Sequence, residues 1–476
     1  RLPTAANLKP ASEAEPTLVR GLSLMDSVLL LVGGIIGSAV FLAVKDAAAP
    51  LHHPLLLLAA WVAGGAVSLL ACFAFAELGA MYPKSGGQYV YLREAYGEFW
   101  AFLFGWMVFT VNYTGTIAAL AVGFAEYSQA IVPYGAKAAI LHVGSWTLTR
   151  AHILALAAIA VLTWVNVIGL RRAAVLQNIA TWMKFAAIAV FVVLGLAIGK
   201  GAWSHLSGWV AADGGSVTAH ALGSGWELAR DFGVALIAVF FAYDGWSYIT
   251  CAADEVKEPQ RNIPRALVLG VVAVGAIYVA LNVVYLYALP MSQVQRVETI
   301  GDSAAQALFF PSAGRWISVL IAVSCFGAAC ACILAGARVV YAMGVDGVFF
   351  RSMGRVHPRY RTPAVALVAQ GIWSGVLALS GRYDQLYTYV MFIGVLFYVL
   401  TVVALFVLRR KQPDVPRPYR CTGYPWLPGV YVVICMVWAG IVLVQRQYES
   451  LAGIVIVLLG VPGYLYWRRA KTVTGR

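Results

Sequence analysis

Twelve apolar stretches follow one another along this chain, each near the length of a membrane span and most of them joined by short turns. Lipid offers a backbone N–H or C=O no partner, so every polar backbone group must be satisfied internally, and stretches of this length are confined to helices. A helix needs about 20 predominantly apolar residues to cross the bilayer core. Such runs lie at about 24–45, 54–76, 99–127, 152–169, 174–199, 230–252, 264–289, 315–342, 363–380, 385–408, 425–444 and 449–467, here spans 1 to 12. Of the 476 residues, 61% are hydrophobic and only 12% charged. That is about half the charge density of an average soluble domain, too little to solvate several of them. The expected class is an all-α integral membrane protein, with 15 Trp and 24 Tyr to serve its two interfaces.

The net charge of +13 is explained by position. In a twelve-span register the basic turns Arg171-Arg172, Lys257 to Arg265, Arg351 to Arg361, Arg409 to Lys411 and Arg468 to Lys471 fall on one face, together with the N-terminus. The positive-inside rule makes that face cytoplasmic. The basic excess is thus a matter of orientation, and no nucleic-acid partner is expected. Residues 1–20 are polar and lack the apolar core of a secretory signal. None of the seven cysteines falls in a loop assigned to the outside, and Cys330 and Cys332 lack metal-ligand spacing, so neither a disulfide framework nor a metal is expected. No cofactor motif is present. Mid-span HExxH, GxSxG and paired aspartates are also missing, which argues against a membrane-embedded enzyme.

Two spans carry residues that a simple membrane helix avoids. Span 1 holds Gly33, Gly34, Gly37 and Ser38 at its middle, where each Gly costs about 1 kcal/mol of helix stability relative to Ala. Span 6 places Asp244 and Gly245 near the bilayer centre. Close packing through small residues explains glycines of this kind in isolation. Two interruptions five spans apart instead mark the binding site of a secondary transporter built from inverted repeats. The expected organisation is a cytoplasmic tail 1–23, a first half 24–199 (spans 1–5), an outer loop 200–229, a second half 230–408 (spans 6–10), spans 11 and 12 within 409–467, and a tail 468–476. A broken helix offers free N–H groups and a positive dipole end to an anion, and free carbonyls to a cation. A zwitterion suits both.

Lys184 lies ten residues into span 5, about 15 Å from its start at 1.5 Å per residue. An ionisable group at that depth is a functional hypothesis by default. It stands in for a bound cation, cycles a proton, or packs by snorkelling. Asp244 receives a substrate amino group or cationic side chain, pairs internally with a group such as Lys184, or caps the lower half of span 6. Arg338 is expected to snorkel or pair near the cytoplasmic face. The mid-span amides Asn112, Asn166 and Asn282 are expected to bond between helices.

Several motifs together resemble the amino acid–polyamine–organocation superfamily, closest to its L-type amino acid transporter branch, over about residues 22–467. They are Ile35-Ile36-Gly37-Ser38, Pro83-Lys84-Ser85-Gly86-Gly87, Phe241-Ala242-Tyr243-Asp244-Gly245-Trp246 followed by Glu255 and Glu258-Pro259, Ser324-Cys325-Phe326-Gly327, and His357-Pro358 with Thr362-Pro363. The resemblance implies a LeuT-like 5+5 inverted repeat with discontinuous helices 1 and 6 and two extra C-terminal helices. It implies that N–H groups around Gly37, Ser38 and Ala39 hold a substrate α-carboxylate. Carbonyls of Ile35, Phe241 and Asp244 would receive the α-amino group next to Ala242, and Phe241 would gate the site. Lys184 would occupy a sodium site's position, with Ser324 facing the same region. Sodium-independent exchange of amino acids is the implied activity; proton-coupled uptake and polyamine or organic-cation transport are the alternatives on the same fold. Two features depart from the pattern: Ala39 replaces a usual glycine, and Asp244 stands where many large-neutral transporters have a small residue. The outer loop 128–151 has no cysteine for a disulfide-linked heavy chain, so a bacterial inner-membrane protein working alone is expected.

Overall fold

In a computed structural model the chain is a helical bundle, described over residues 17–143, 146–207, 209–210, 216–217, 225–380 and 383–473. The tail residues 1–16 and most of the outer loop 208–224 lie outside these. Among the described residues, ten helices are long and apolar enough to cross a membrane. They form spans 1 (Leu24–Leu42), 2 (Pro54–Met81), 3 (Glu98–Ser128), 4 (Arg150–Val167), 5 (Leu170–Ile198), 7 (Pro259–Ala288), 8 (Gly314–Val345), 10 (Met391–Lys411), 11 (Trp426–Gln445) and 12 (Gln447–Arg469). Span 9 is the shorter apolar helix Ala364–Ser380. Span 6 is Gly225–Tyr243, whose first turns carry Glu227, Arg230 and Asp231, continued after a break by Tyr248–Cys251.

Local sequence sets the helix starts. Ser23 and Asp26 form a capping box on span 1, in which the Ser23 Oγ accepts from Asp26 N at 3.2 Å and the Asp26 carboxylate accepts from Ser23 N at 2.9 Å. Pro54 and Pro259 open spans 2 and 7, where a missing N–H costs nothing. Span 3 is interrupted by a π-helical turn at Val108–Asn112, a backbone irregularity that no residue pattern announced. The outer loop after span 3 forms a hairpin, Ala139–Val143 paired with Trp146–Thr149, that was also not anticipated. The outer loop after span 5 begins with a 3-10 turn, Trp203–Leu206.

Burial orders the spans. In span 8, 78% of the membrane-length window is buried, against 22% in span 12, so span 8 is the central helix and span 12 lies at the rim. Span 7 packs along spans 2 and 1, while span 8 packs along spans 3 and 5. Spans 1 and 6 are thereby enclosed, which is the condition under which irregular backbone survives at membrane depth.

The basic turns gather at one end of the bundle. Residues 17–23 form a strap there. Gly21 N and Leu22 N donate to the Glu255 carbonyl at 2.8 and 2.9 Å, Lys257 N donates to the Leu22 carbonyl at 2.8 Å, and the Arg361 guanidinium donates to the Thr17 carbonyl at 2.7 Å. The Glu255 carboxylate, fully buried, accepts from Arg338 Nε at 2.8 Å and Nη2 at 2.9 Å. Of the two outcomes expected for Arg338, pairing is the one observed. A second buried carboxylate, Glu77 of span 2, accepts from Arg409 at the end of span 10 and from Cys421 N, with Arg417 beside it. Removing one partner of such a pair strands the other charge, at a cost of about 3–5 kcal/mol. Arg338→Ala should therefore lower the thermal stability of purified protein sharply, whereas Arg338→Met with Glu255→Leu should recover much of the loss. An unchanged melting midpoint in Arg338→Ala would show that the pair carries no net stabilisation.

Candidate functional site

The span 1 helix ends at Ile35, and its chain resumes as Ala39–Leu42 and then Val44–Ala48. Between them Ile36 takes φ −74°, ψ 85°, which no helix allows, and Gly37 N turns back to donate to the Ile35 carbonyl at 2.8 Å. The N–H groups of Ser38, Ala39 and Val40 find no acceptor among the described residues. Three adjacent donors at the start of a helical segment are a site for an anion. The free set is one residue later than expected, because Gly37 has spent its N–H on Ile35. Ala39 begins the helical segment, a conformation alanine favours, so the absence of a glycine there places no strain on the backbone.

The carbonyl side of the same break is satisfied by side chains from other spans. Lys184 is fully buried, and its Nζ donates to the carbonyls of Gly33 at 2.9 Å and Ile36 at 2.7 Å. Ser324 of span 8 donates through Oγ to the carbonyls of Ile36 at 2.9 Å or Gly37 at 3.1 Å. Lys184 and Ser324 thus converge on one cluster of backbone oxygens. Among the described residues Lys184 has no carboxylate partner, and the pairing with Asp244 left open by the sequence is not made. Burying an ammonium is expensive unless hydrogen bonds replace water, and hydrogen bonds involving a charged group contribute about 1.5–3 kcal/mol each. The hydroxyl of Thr181, one helical turn before Lys184, can donate to the Gln177 carbonyl at 2.8 Å or the Leu29 carbonyl at 3.2 Å, and Gln177 lies against Gly33. The i, i+4, i+7 stripe Gln177, Thr181 and Lys184 is one polar face turned onto span 1.

The second break runs from Asp244 to Ser247. Gly245 takes φ +103°, where an L side chain is strained, and a Cβ there would lie 3.1 Å from the Gly34 carbonyl oxygen. The two breaks therefore touch backbone to backbone. The Phe241 carbonyl accepts from Asp244 N at 3.2 Å, and the Phe241 side chain is half-buried against the core. Asp244 accepts from Tyr398 of span 10 at 2.7 Å, and that hydroxyl also meets Ser247 Oγ at 3.2 Å. A cavity of about 30 Å³ adjoins Asp244, lined also by Ser68, Phe240, Trp246 and Tyr398. Its volume is about one water's share of the liquid.

Tyr278 of span 7 was missed by the sequence reading. Its buried hydroxyl lies 2.9 Å from the Ala242 carbonyl and 3.2 Å from the Ile35 carbonyl, able to donate to either, and so links the two breaks directly. The available signal was the polar stripe Tyr278, Asn282 and Tyr285 at i, i+4, i+7 on an otherwise apolar helix. Of the amides expected to bond between helices, Asn166 of span 4 reaches Cys330 of span 8 as well as its own Leu162 carbonyl, whereas the Asn282 amide donates back to the Tyr278 carbonyl within its own helix.

The two breaks thus bring together a donor face on span 1, the Lys184 ammonium from span 5, backbone carbonyls and the Asp244 carboxylate of span 6. Residues 22–461 match the family model described as amino acid permease. The serine/threonine exchanger SteT of Bacillus subtilis (strain 168) is 30% identical over 457 residues, covering 95% of this chain and 98% of that protein. The b(0,+)-type amino acid transporter 1 of Homo sapiens is 28% identical over 457 residues, covering 96% and 89%. The Asc-type amino acid transporter 1 of Mus musculus is 27% identical over 468 residues, covering 95% and 82%. Because Gly245 combines positive φ with contact to Gly34, Gly245→Ala should cost about 1–3 kcal/mol. It should also separate the breaks. Circular dichroism melts against the unsubstituted protein measure this, and equal midpoints would mean that the backbone contact is dispensable.

Proposed function

This chain belongs to the amino acid permease family, and we propose that it exchanges one amino acid for another, independently of sodium, by alternating access around the two touching breaks. The observation that carries this reading is the Lys184 ammonium, held on the carbonyls of Gly33 and Ile36 where a mobile cation would otherwise be needed. A fixed charge on span 5 orders the break permanently, so no ion has to bind before the substrate does.

In this reading the α-carboxylate sits on the free N–H groups of Ser38 and Ala39, with Gly37 at the edge of the set. The α-amino group takes the carbonyl of Ile35, and of Phe241 or Asp244 across the gap beside Ala242. The Ile35 and Ala242 carbonyls are within reach of the Tyr278 hydroxyl in this structure, so Tyr278 yields one of them as substrate enters. Phe241 closes over the bound molecule as the gate. A serine/threonine exchanger among the relatives supports short polar side chains as the substrates, with the Asp244 carboxylate and Tyr398 hydroxyl as the polar groups beside span 6. Residues 24–199 and 230–408 act as the two repeat halves, with spans 11 and 12 outside them. The basic face and both termini are cytoplasmic in a bacterial inner membrane. All seven cysteines are buried thiols, in keeping with a transporter that works without a disulfide-linked heavy chain.

Proteoliposomes loaded with unlabelled amino acid and assayed for uptake of labelled serine test the proposal. Uptake should rise several-fold when an amino acid is present inside, stay unchanged on replacing sodium by choline, and be competed by threonine and alanine more than by leucine or putrescine. Uptake that needs a proton gradient and ignores internal amino acid would replace exchange by proton-coupled entry. Competition by putrescine but by no amino acid would make the chain a polyamine carrier. Lys184→Ala should slow exchange by more than about tenfold, equivalent to 1.4 kcal/mol, with a smaller effect on the melting midpoint. Exchange at the unsubstituted rate would remove Lys184 from the mechanism. Asp244→Gly should change the ranking of competing side chains, above all reducing any inhibition by arginine or lysine, and an unaltered ranking would leave Asp244 as a Tyr398 anchor only.

A further inference from the structure

We infer that a groove on the membrane-facing side of spans 5 and 8, at the end opposite the basic turns, holds an acyl chain of an anionic phospholipid whose headgroup rests on Lys200. A cavity of about 470 Å³ lies there between span 5, the short loop helix Ile300–Leu308 and the start of span 8. It opens on the lipid side of these helices and does not depend on the exchange proposed above.

The groove follows from how the two spans pack. At mid-membrane they touch: a Cβ on Gly327 would fall 3.0 Å from the Ala180 Cβ and 3.3 Å from Lys184 Nζ, so a larger residue there would push the helices apart. Beyond that contact they leave room between them, lined by Met183, Val190 and Leu194 on one side and Trp316, Leu320 and Val323 on the other. Phe191, Ile317 and Leu320 are buried and form the floor, whereas Val190 and Trp316, 56% and 71% exposed, stand along the mouth. The volume is that of a ligand site rather than a packing defect. Every lining residue is apolar, so water finds no partner inside and a hydrocarbon chain does. Met183 and Val323 immediately precede Lys184 and Ser324, and the inner end of the groove therefore lies behind the two residues that hold the span 1 break.

Charge at the mouth selects the occupant. Lys200 N donates to the Leu308 carbonyl at 3.0 Å, which sets its backbone beside the lining residues Ile198 and Phe309. The Lys200 side chain is exposed, and among the described residues its ammonium has no carboxylate partner. Asp302, the acidic residue of the loop helix, accepts from Ser318 Oγ at 3.1 Å and does not line the groove. A lysine on a flexible stem at the edge of an apolar groove meets a lipid phosphate where the chain below it enters. Trp203 and Trp316 are exposed at the same end, the level at which tryptophan meets headgroups. A sterol would fill the groove and leave the lysine unused; an anionic phospholipid uses both features.

The test reconstitutes the full chain in phosphatidylcholine vesicles with a variable fraction of phosphatidylglycerol carrying a diazirine on one acyl chain. After irradiation, labelled peptides are mapped by mass spectrometry. Label on residues 183–198 and 316–323 should saturate and exceed several-fold that on span 11, where Val433, Met436 and Val437 are comparably exposed to lipid. Val190→Trp fills the groove from an exposed position and should reduce its label several-fold while leaving span 11 unchanged. Lys200→Gln should move half-maximal labelling to an about fivefold higher lipid fraction. Even labelling of spans 5, 8 and 11, or groove label indifferent to Val190→Trp, would reduce the contact to ordinary lipid solvation and overturn the site. No shift in Lys200→Gln would overturn the headgroup assignment. Groove label below that of span 11 would mean that a second copy of the chain covers it, and suppression by cholesterol but not by unlabelled phosphatidylglycerol would make the occupant a sterol; either result overturns the phospholipid.

Discussion

One lysine side chain lets a helix stop in the middle of a membrane. Backbone carbonyls released by the span 1 break have no water to turn to, and leaving each unpaired in lipid would cost several kcal/mol. The Lys184 ammonium meets two of them, and Ser324 serves the same cluster from span 8. Among the described residues the donors on the other side of the break have no acceptor, and that asymmetry matters most. With the carbonyls met by Lys184 and Ser324 and no such acceptor for the N–H groups of Ser38, Ala39 and Val40, the break is incomplete in one direction. It calls for an anion.

In the reading proposed above, span 6 turns this half-site into a site for a zwitterion. Gly245 brings its backbone against Gly34, and Tyr278 reaches the carbonyls of both breaks, so a shift of one break is felt by the other through contacts of a few ångströms. The basic end of the bundle is closed beneath them. The strap 17–23 lies on the segment after span 6, Arg361 holds Thr17, and Arg338 holds Glu255. Opening towards that face requires the Arg338–Glu255 pair and the Arg361 contact to part if spans 1 and 6 move away from span 8. Alternating access needs stable but breakable closure of this kind, in which substrate shifts the balance by its differential affinity for two states.

What was legible in the sequence is what lipid penalises. Glycines, a serine, a lysine and an aspartate inside apolar runs stand out because each has a cost there, and the structure brings Gly37, Ser38, Lys184 and Ser324 to one place. The twelve-span count was legible through the basic turns, which do gather at one end. Tyr278 was not, because a tyrosine is tolerated in a membrane helix and its partners are carbonyls, which have no letter in a sequence. The register of the free donors was also hidden: it depends on Gly37 N–H folding back onto Ile35, a single turn that residue identity does not determine. The π-turn at Val108–Asn112 is a backbone adjustment of the same kind. Arg338 was left between two outcomes until Glu255, more than eighty residues away, was seen to lie against it.

The central claim is that the free N–H groups of the span 1 break are a carboxylate site. It is tested most directly by comparing how far serine and serine methyl ester, which keeps the amino group and hydroxyl but has no carboxylate, raise the melting midpoint of the purified protein. A carboxylate site predicts a saturable rise with serine and little or none with the ester at the same concentrations. Equal stabilisation by the two compounds would contradict it and would move recognition to the amino group and the side chain.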